Sequence, residues 1–431
     1  MPIAAVPAYL GTDFSSASPG LRFGMYLPLW GINRRTGQLL WSTSDIDHAV
    51  RGQQREEREI KVENKTSALL QACKLTSHDK ATMRALAARQ SHTAQSTPHT
   101  LTLDAIATAP FTTGLGNEHP LENGFAFLNP YGLPYLPGSG IKGVLRRAAR
   151  ELASGDWGDP QGWEAQKIHW LKREGHATID LSIIDVLFGR ETESGDGDHV
   201  RGALSFWDAL PQIPGDTLAV DIMTPHQSHY YQQKNDRKSG SSTSPHDSGA
   251  PNPISFLTLP PGTGFAFHVV CDQAHLERLA PDLAHNQRWQ TLLTAAFEHA
   301  FEWLGFGAKT AVGYGAMQVN ERARSQRAQA QAEAAKAQHL ASLSPAQQQI
   351  EAFVAELRTK HEQFPSYKEK PNAAFHNQAR ALAKAAHEGT DWSADEKRQA
   401  AEAIETWLPK LVQLDIKDER KKLKLSALKG Q

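Results

Sequence analysis

The chain has 431 residues, 40% of them hydrophobic, with 46 Lys+Arg against 47 Asp+Glu and a formal net charge of −1. That length allows two or three domains with a sizeable core. The near-neutral balance excludes a uniformly basic surface but not nucleic acid, because polyanion affinity follows the local placement of Lys and Arg. Cys73 and Cys271 are too few and too far apart for a zinc site or a disulfide framework. With no basic-then-apolar leader and no run of about 18 apolar residues, the expectation is a soluble, reduced, cytoplasmic protein without membrane contact.

In chain order, residues 1–20 are small, Pro- and Ser-containing, and expected to be poorly ordered. Phe23–Trp30 and Leu39–Trp41 are apolar patches, short strands or a helix on the core. From Ser44 the pattern turns helical to about Ala88, with Ser44–Asp47 as the helix start. Ser91–His99 is then a polar connection. Thr100–Ala107 alternates with period two, placing Leu101, Leu103, Ala105 and Ala107 on one face, and predicts a strand. After the Gly-, Asn- and Pro-rich stretch from Phe111 to Gly140, Ser139 is positioned to cap a helix from Ile141 to Ala153. Its apolar stripe is Ile141, Val144, Leu145, Ala148, Ala149 and Leu152, with Lys142, Arg146, Arg147 and Arg150 elsewhere.

Gly202–Trp207, Leu218–Met223, Ile254–Leu259 and Gly264–Val270 predict strands. The Ser-, Gly- and Pro-rich segment Gln232–Pro253 predicts a long flexible loop. Gln287–Leu304 predicts a helix and Ala316–Val319 a closing strand. At Glu321 the composition shifts to Ala, Gln, Arg, Lys and Glu, an exposed helix to about Ala341. Three or so further helices follow, broken near Pro365, Pro371, Gly389 and Pro409. Residues 321–431 hold 19 Lys+Arg against 15 Asp+Glu, a net of +4, and the remainder 27 against 32. The domains expected are thus a partly helical N-terminal segment 1–99, a core 100–320 and a helical extension 321–431.

Two glycine-rich tracts carry the functional signal: Gly138–Gly143, opening the basic helix, and Gly305–Gly315, with four glycines beside Lys309. Glycine amides without side-chain bulk, next to a lysine, suit the capture of a phosphodiester backbone. The Walker A spacing is missing, so NTP hydrolysis is rejected, and a nucleotide-binding enzyme ranks last. The plain alternatives are a strand-to-helix turn with a solvated basic face for the first tract, and a helix C-cap with a hairpin for the second. His226, Tyr230 and Tyr231 follow a strand and could stack on unpaired bases, although solvated loop residues are the commoner case. His119 stands between Glu118 and Glu122, a possible acid–base set. Among 19 histidines and 47 acids such clusters arise by chance. No metal site and no cofactor are expected.

The ordered set Gly132–Arg146, Gly202–Asp208, Asp221–His226, Asn252–Leu257 and Gly305–Gly315 resembles the RAMP superfamily of CRISPR-associated proteins. Within it, the resemblance is to the branch represented by the sixth subunit of the type III-B (Cmr) effector complex. The resemblance implies an α+β fold: a ferredoxin-like (RRM-type) core with insertions, here followed by an all-helical appendage. It implies a subunit that ends a stack of related backbone subunits, binds the 3′ portion of the guide RNA and helps hold the guide–target duplex. Guide pairing then supplies sequence specificity and the protein grips the backbone. Partners implied are guide and target RNA, neighbouring backbone RAMP subunits and the small helical subunit.

Carried onto this sequence, the RNA-binding residues expected are Gly138, Ser139, Gly140, Lys142, Arg146, Arg147, His226, Tyr230, Tyr231, Gly305, Gly307, Lys309, Thr310, Gly313 and Tyr314. Target cleavage in the family belongs to a neighbouring subunit with a loop aspartate. The corresponding stretch Gly114–Gly132 has Glu118 and Glu122 but no Asp, so no catalytic residue is expected. The alternative is a metal-independent endoribonuclease using His119 or His226 to process guide precursors. Gly140 stands where many relatives have Ser, and the extension is longer than the core pattern requires.

Overall fold

A computed structural model describes residues 2–32, 39–41, 45–47, 60–62, 64–121, 123–163, 168–171, 178–190, 199–224 and 253–430. His226, Tyr230, Tyr231, Glu122 and all but the last residue of Gln232–Pro253 lie outside them. The chain divides into two units, Met1–Arg324 and Ser325–Gln431.

The first unit is mixed α/β. Its order is α1 (Ser77–Ser96), β1 (Thr100–Ala107), α2 (Gly138–Ser154), β2 (Leu204–Phe206), an antiparallel pair β3 (Ala219–Met223) and β4 (Ile254–Thr258), β5 (Gly264–Cys271), α3 (Arg288–His299) and β6 (Met317–Val319). Four strands form a sheet ordered β2-β5-β1-β6, with every neighbouring pair antiparallel. Alternation explains which face is buried. Ala105 and Ala107 of β1 and Phe265, Phe267, Val269 and Cys271 of β5 join one core, with Leu101 and Leu103 packed against it. On that face lie α2, through Ile141, Leu145, Ala148, Ala149 and Leu152, and α3, through Trp289, Leu292, Leu293, Ala296 and Phe297. The three- and four-residue spacings in each helix put these side chains on one stripe. α3 continues as a π-helical turn, Ala300–Leu304, whose Phe301 joins Phe297 and Phe306 around Phe267 at ring separations of 5.9, 5.2 and 5.1 Å.

Several local expectations are corrected. Residues 1–20 are tied down: helix Pro19–Gly24 docks through a hydrogen bond from Gly20 N–H to Gly132 O, and Phe14 stacks on Tyr26 at 4.2 Å. Asp45–Asp47, expected to start a helix, is a strand paired with Ile60–Val62. Most of Ser91–His99 is not a connection but the end of α1. That helix is set by a capping box in which Thr76 Oγ1 accepts from Asp79 N–H and Asp79 accepts from Thr76 N–H. Ser139 is not an N-cap. Pro137 holds that position, so the helix opens at Gly138 and Ser139 lies exposed in the first turn.

The second unit is helical: α4 (Glu321–Ser342, which begins at the end of the first unit), α5 (Pro345–Gln363), α6 (Ala374–Glu388), α7 (Ala394–Leu411), then short helices Ile416–Lys422 and Leu425–Leu428. α4 buries nothing. The others share a core including Phe353, Leu357, Leu382, Ile404, Leu408 and Leu425. The break expected near Pro409 falls just after it: Pro409 sits in the last turn of α7, which ends at Leu411. The basic run Lys417–Lys429 is folded into this unit. Leu425 and Leu428 are buried, and Arg420 and Lys429 pair with Glu405 at 2.6 and 2.8 Å. Among the described residues, no helix is long and apolar enough to cross a membrane.

Candidate nucleic-acid interface

The first glycine tract is seated on the end of β2. A Cβ at Gly138 would lie 2.2 Å from Phe206 O, so only glycine lets α2 begin there. Its N–H donates to Asp208 Oδ1 at 2.7 Å, and Gln90 Nε2 donates to Asp208 O at 2.6 Å. The N–H groups of Gly140 and Ile141 both turn back to Pro137 O. Over Gly140 a Cβ would meet only Leu136 Cδ1 at 3.7 Å, and over Gly143 nothing within 4 Å. That surface is open. Ser139, Gly140 and Gly143 are exposed there, and Lys142 and Arg146 are half-buried. Arg147 is exposed but paired: its Nε reaches Glu151 Oε1 at 2.9 Å, and Glu151 Oε2 lies 2.9 Å from His299 Nε2. Burial alone would raise Glu151; the hydrogen bonds from His299 and Arg147 outweigh it and hold the carboxyl below its ordinary value.

The second tract turns on itself. Gly305, Gly307, Lys309, Gly313 and Gly315 all have positive φ. Gly305 caps the helix end, and its N–H reaches Ala300 O. Gly307 and Gly315 leave no room for a side chain: a Cβ would stand 2.2 Å from Thr112 O and 1.8 Å from Phe306 O. Gly313 donates to Thr310 O and Gly315 to Pro110 O, while Ala308 donates to Thr112 O. The expectation of bare glycine amides is therefore not met at Gly138, Gly140, Gly305, Gly313 or Gly315. Each N–H has an acceptor within the chain, and packing accounts for most of these glycines.

What the second tract does present is a braced cation. Lys309, in the left-handed region at φ 59°, places Nζ 3.1 Å from Met223 Sδ and 5.2 and 5.9 Å from the ring centres of Phe256 and Tyr314. Tyr314 Oη donates to Asp221 Oδ2 at 2.5 Å. Burial first, then this carboxylate, pushes the phenol up to about 12. Thr310 is half-buried and Gly313 exposed on the outer side of the turn.

The structure does not bring the tracts to one point. Phe206 stands level with Leu101 across β5, whereas Met317, just after the second tract, pairs with Ala107. Three strand spacings and six residues of strand separate those levels, roughly 14 Å sideways and about 20 Å along the sheet.

His119 is not available as a base. Its Nε2 faces Phe23 O at 3.1 Å, its Nδ1 accepts from Leu121 N–H at 3.1 Å, and the ring stacks on Phe23 at 3.8 Å. Burial lowers its pKa. Among the described residues, no group of three His, Cys, Asp or Glu is placed to hold a metal. Sequence reading missed Asp208 and Asp221 as positioning groups, because their partners lie 70 and 93 residues away. It also missed two half-exposed indoles, Trp157 and Trp303, whose rings stand 5.2 Å apart beside His299.

Residues 105–318 match the profile of the RAMP superfamily. They form a RAMP-superfamily domain. The match runs from β1 through the second glycine tract to β6. Over 255 residues the chain is 29% identical to CRISPR system Cmr subunit Cmr6 of Pyrococcus furiosus, spanning 50% of this chain and 67% of that protein. Among solved structures, the type III-B Cmr-β complex bound to cognate target RNA has a chain 17% identical to this one, with a TM-score of 0.36 over 59% of this chain and 69% of that one. The crystal structure of Cmr6 from Pyrococcus furiosus is 24% identical, with a TM-score of 0.27 over 51% and 98%. The assignment of the RAMP domain rests on the sequence matches.

Proposed function

We propose that this chain is a non-catalytic, RNA-binding subunit of a type III-B CRISPR (Cmr) RNA-guided effector complex, acting in antiviral defence. It would bind the 3′ region of the guide RNA and close one end of the backbone filament. Its partners would be guide and target RNA, the adjacent backbone RAMP subunits and the small helical subunit. The observation that carries this reading is the 29% identity to Cmr6 over 255 residues, together with the RAMP domain. The β-α-β-β-α-β succession, with strands side by side in the order second, third, first, fourth, supports a ferredoxin-like (RRM-type) core whose β3–β4 pair is an insertion.

With the glycine amides engaged, the grip on phosphates falls to side chains. Ser139, Lys142 and Arg146 act beside the open surface over Gly140 and Gly143, and Lys309 and Thr310 act at the second turn. A strand of duplex carries a phosphate about every 3.4 Å of axis, so two contacts roughly 25 Å apart suit one backbone followed over about seven nucleotides. Such contacts hold a guide without reading it. The engagement of both ring nitrogens of His119 supports the absence of a base in the loop after β1.

The test is the triple variant Lys142→Glu, Arg146→Glu, Lys309→Glu in filter binding of guide RNA. Binding falls at least tenfold, and the salt dependence flattens by about 0.7 per lost contact on the double-logarithmic plot. Unchanged affinity and slope overturn the proposal.

A further inference from the structure

The helical unit lies outside the RAMP domain, and one end of it combines cations with open aromatic rings. α5 and α7 finish together: Glu369 N–H donates to Leu411 O at 2.8 Å and Gln413 N–H to Glu369 O at 2.9 Å. At this end Lys360 Nζ stands 4.5 and 5.0 Å from the ring centres of Phe364 and Tyr367. Arg358 and Lys410, from the two helices, lie 5.6 and 4.0 Å from the ring of Trp407. Phe364 is 51% exposed and Tyr367 42%. Lys368 and Lys370 are exposed on the connecting segment.

None of Arg358, Lys360 and Lys410 has a carboxylate partner among the described residues, whereas Arg420 and Lys429 of the same unit are held by Glu405. The nearby acids do not offset them. Between residues 358 and 370 the only acids are Glu362 and Glu369, against Arg358, Lys360, Lys368 and Lys370, with Lys410 adjoining. Glu369's carboxylate is turned inward, accepting from Phe375 and His376 N–H.

Favourable pairing of a lysine with a helix C-terminus accounts for Lys360 and Lys410. It does not account for two aromatic rings left half in water beside them. Rings are sequence-tolerant platforms for unpaired bases, and cations interleaved with them follow the phosphates.

We propose that this end of the helical unit is a second RNA-binding surface, specific for unpaired strand: Phe364 and Tyr367 stack on bases while Arg358, Lys360, Lys368, Lys370 and Lys410 track the backbone. This surface is independent of the glycine tracts. The test uses the full chain carrying Lys142→Glu, Arg146→Glu and Lys309→Glu, so that the core's charged contacts are removed, with fluorescein-labelled oligouridylate followed by anisotropy.

The expected result is residual binding that falls about 25-fold or more with Phe364→Ala plus Tyr367→Ala, each lost stack being worth about fivefold or more. Lys360→Gln plus Lys410→Gln lowers binding about tenfold and gives a shallower salt slope. Phe364→Tyr plus Tyr367→Phe keeps both rings and binds within about twofold of its parent. Thermal melts by circular dichroism check that each variant is folded. The proposal is overturned if the core-disabled parent binds no oligouridylate, or if ring removal leaves binding unchanged. It is equally overturned if ring removal weakens a duplex of the same length as much as the single strand. Displacement of the RNA by polyglutamate at equal charge concentration would assign the surface to an acidic protein segment instead.

Discussion

At the scale of single residues, positions that look alike in sequence divide by what surrounds them. Gly138, Gly307 and Gly315 are demanded by backbone atoms that a Cβ would strike, whereas nothing crowds Gly143 or Gly313. The sequence announces both glycine tracts but cannot tell these cases apart, since the crowding atoms belong to Phe206, Thr112 and Phe306. The same distance in sequence hides Asp221, which fixes Tyr314 and so braces Lys309. Tyr314 gives a measurable signature. Its pKa is raised from 10.0 to about 12, so the neutral phenol's contribution to stability is complete below pH 10 and declines as pH rises toward 12. Spectrophotometric titration of tyrosinate absorbance should show one late-ionising group that disappears in Tyr314→Phe. That variant, lacking a hydrogen bond to a charged group, should lose about 1–2 kcal/mol at neutral pH.

At the scale of elements, patterns repeated within a segment were readable and those imposed from elsewhere were not. β1 was legible because Leu101, Leu103, Ala105 and Ala107 alternate over a full strand, and α2 because its apolar residues recur at helical spacing. The last turns of α1 were hidden by their polar composition. That helix buries only Asp79, Met83, Leu86 and Ala94 of its 20 residues, so its N-terminal cap matters more than its face. Thr76→Ala, which removes the acceptor for Asp79 N–H, should cost about 1 kcal/mol. The loss appears as a lower urea midpoint with an unchanged slope. Ser44–Asp47 was misread for the opposite reason: a good helix-start signal yields to pairing with Ile60–Val62. In the helical unit, Pro409 has no N–H to give to the carbonyl of Glu405 four residues back, and α7 ends two residues later, so little helix depends on the turn it weakens.

At the scale of the whole molecule, each unit has its own core, and their responses to pH should differ. In the helical unit His376 Nε2 meets Glu419 Oε1 at 2.7 Å, both side chains being 2% exposed, and His376 Nδ1 accepts from Asn372 N–H. Burial alone would raise Glu419; the hydrogen bond from His376, with Lys422 nearby, prevails and holds it below its ordinary 4.5. A depressed carboxyl contributes stability that is present above the unfolded value and lost as pH falls through the folded one. Calorimetry between pH 5 and pH 3 should therefore show the transition of the helical unit moving down, and Glu419→Gln should flatten that dependence. The carboxylate of Asp208 has a consequence of another kind. Seated on the first amide of α2, it already occupies the positive mouth of that helix with a tethered counter-ion. A phosphate arriving at this edge of the sheet would meet a like charge in residence, so the mouth of the helix itself is closed to it.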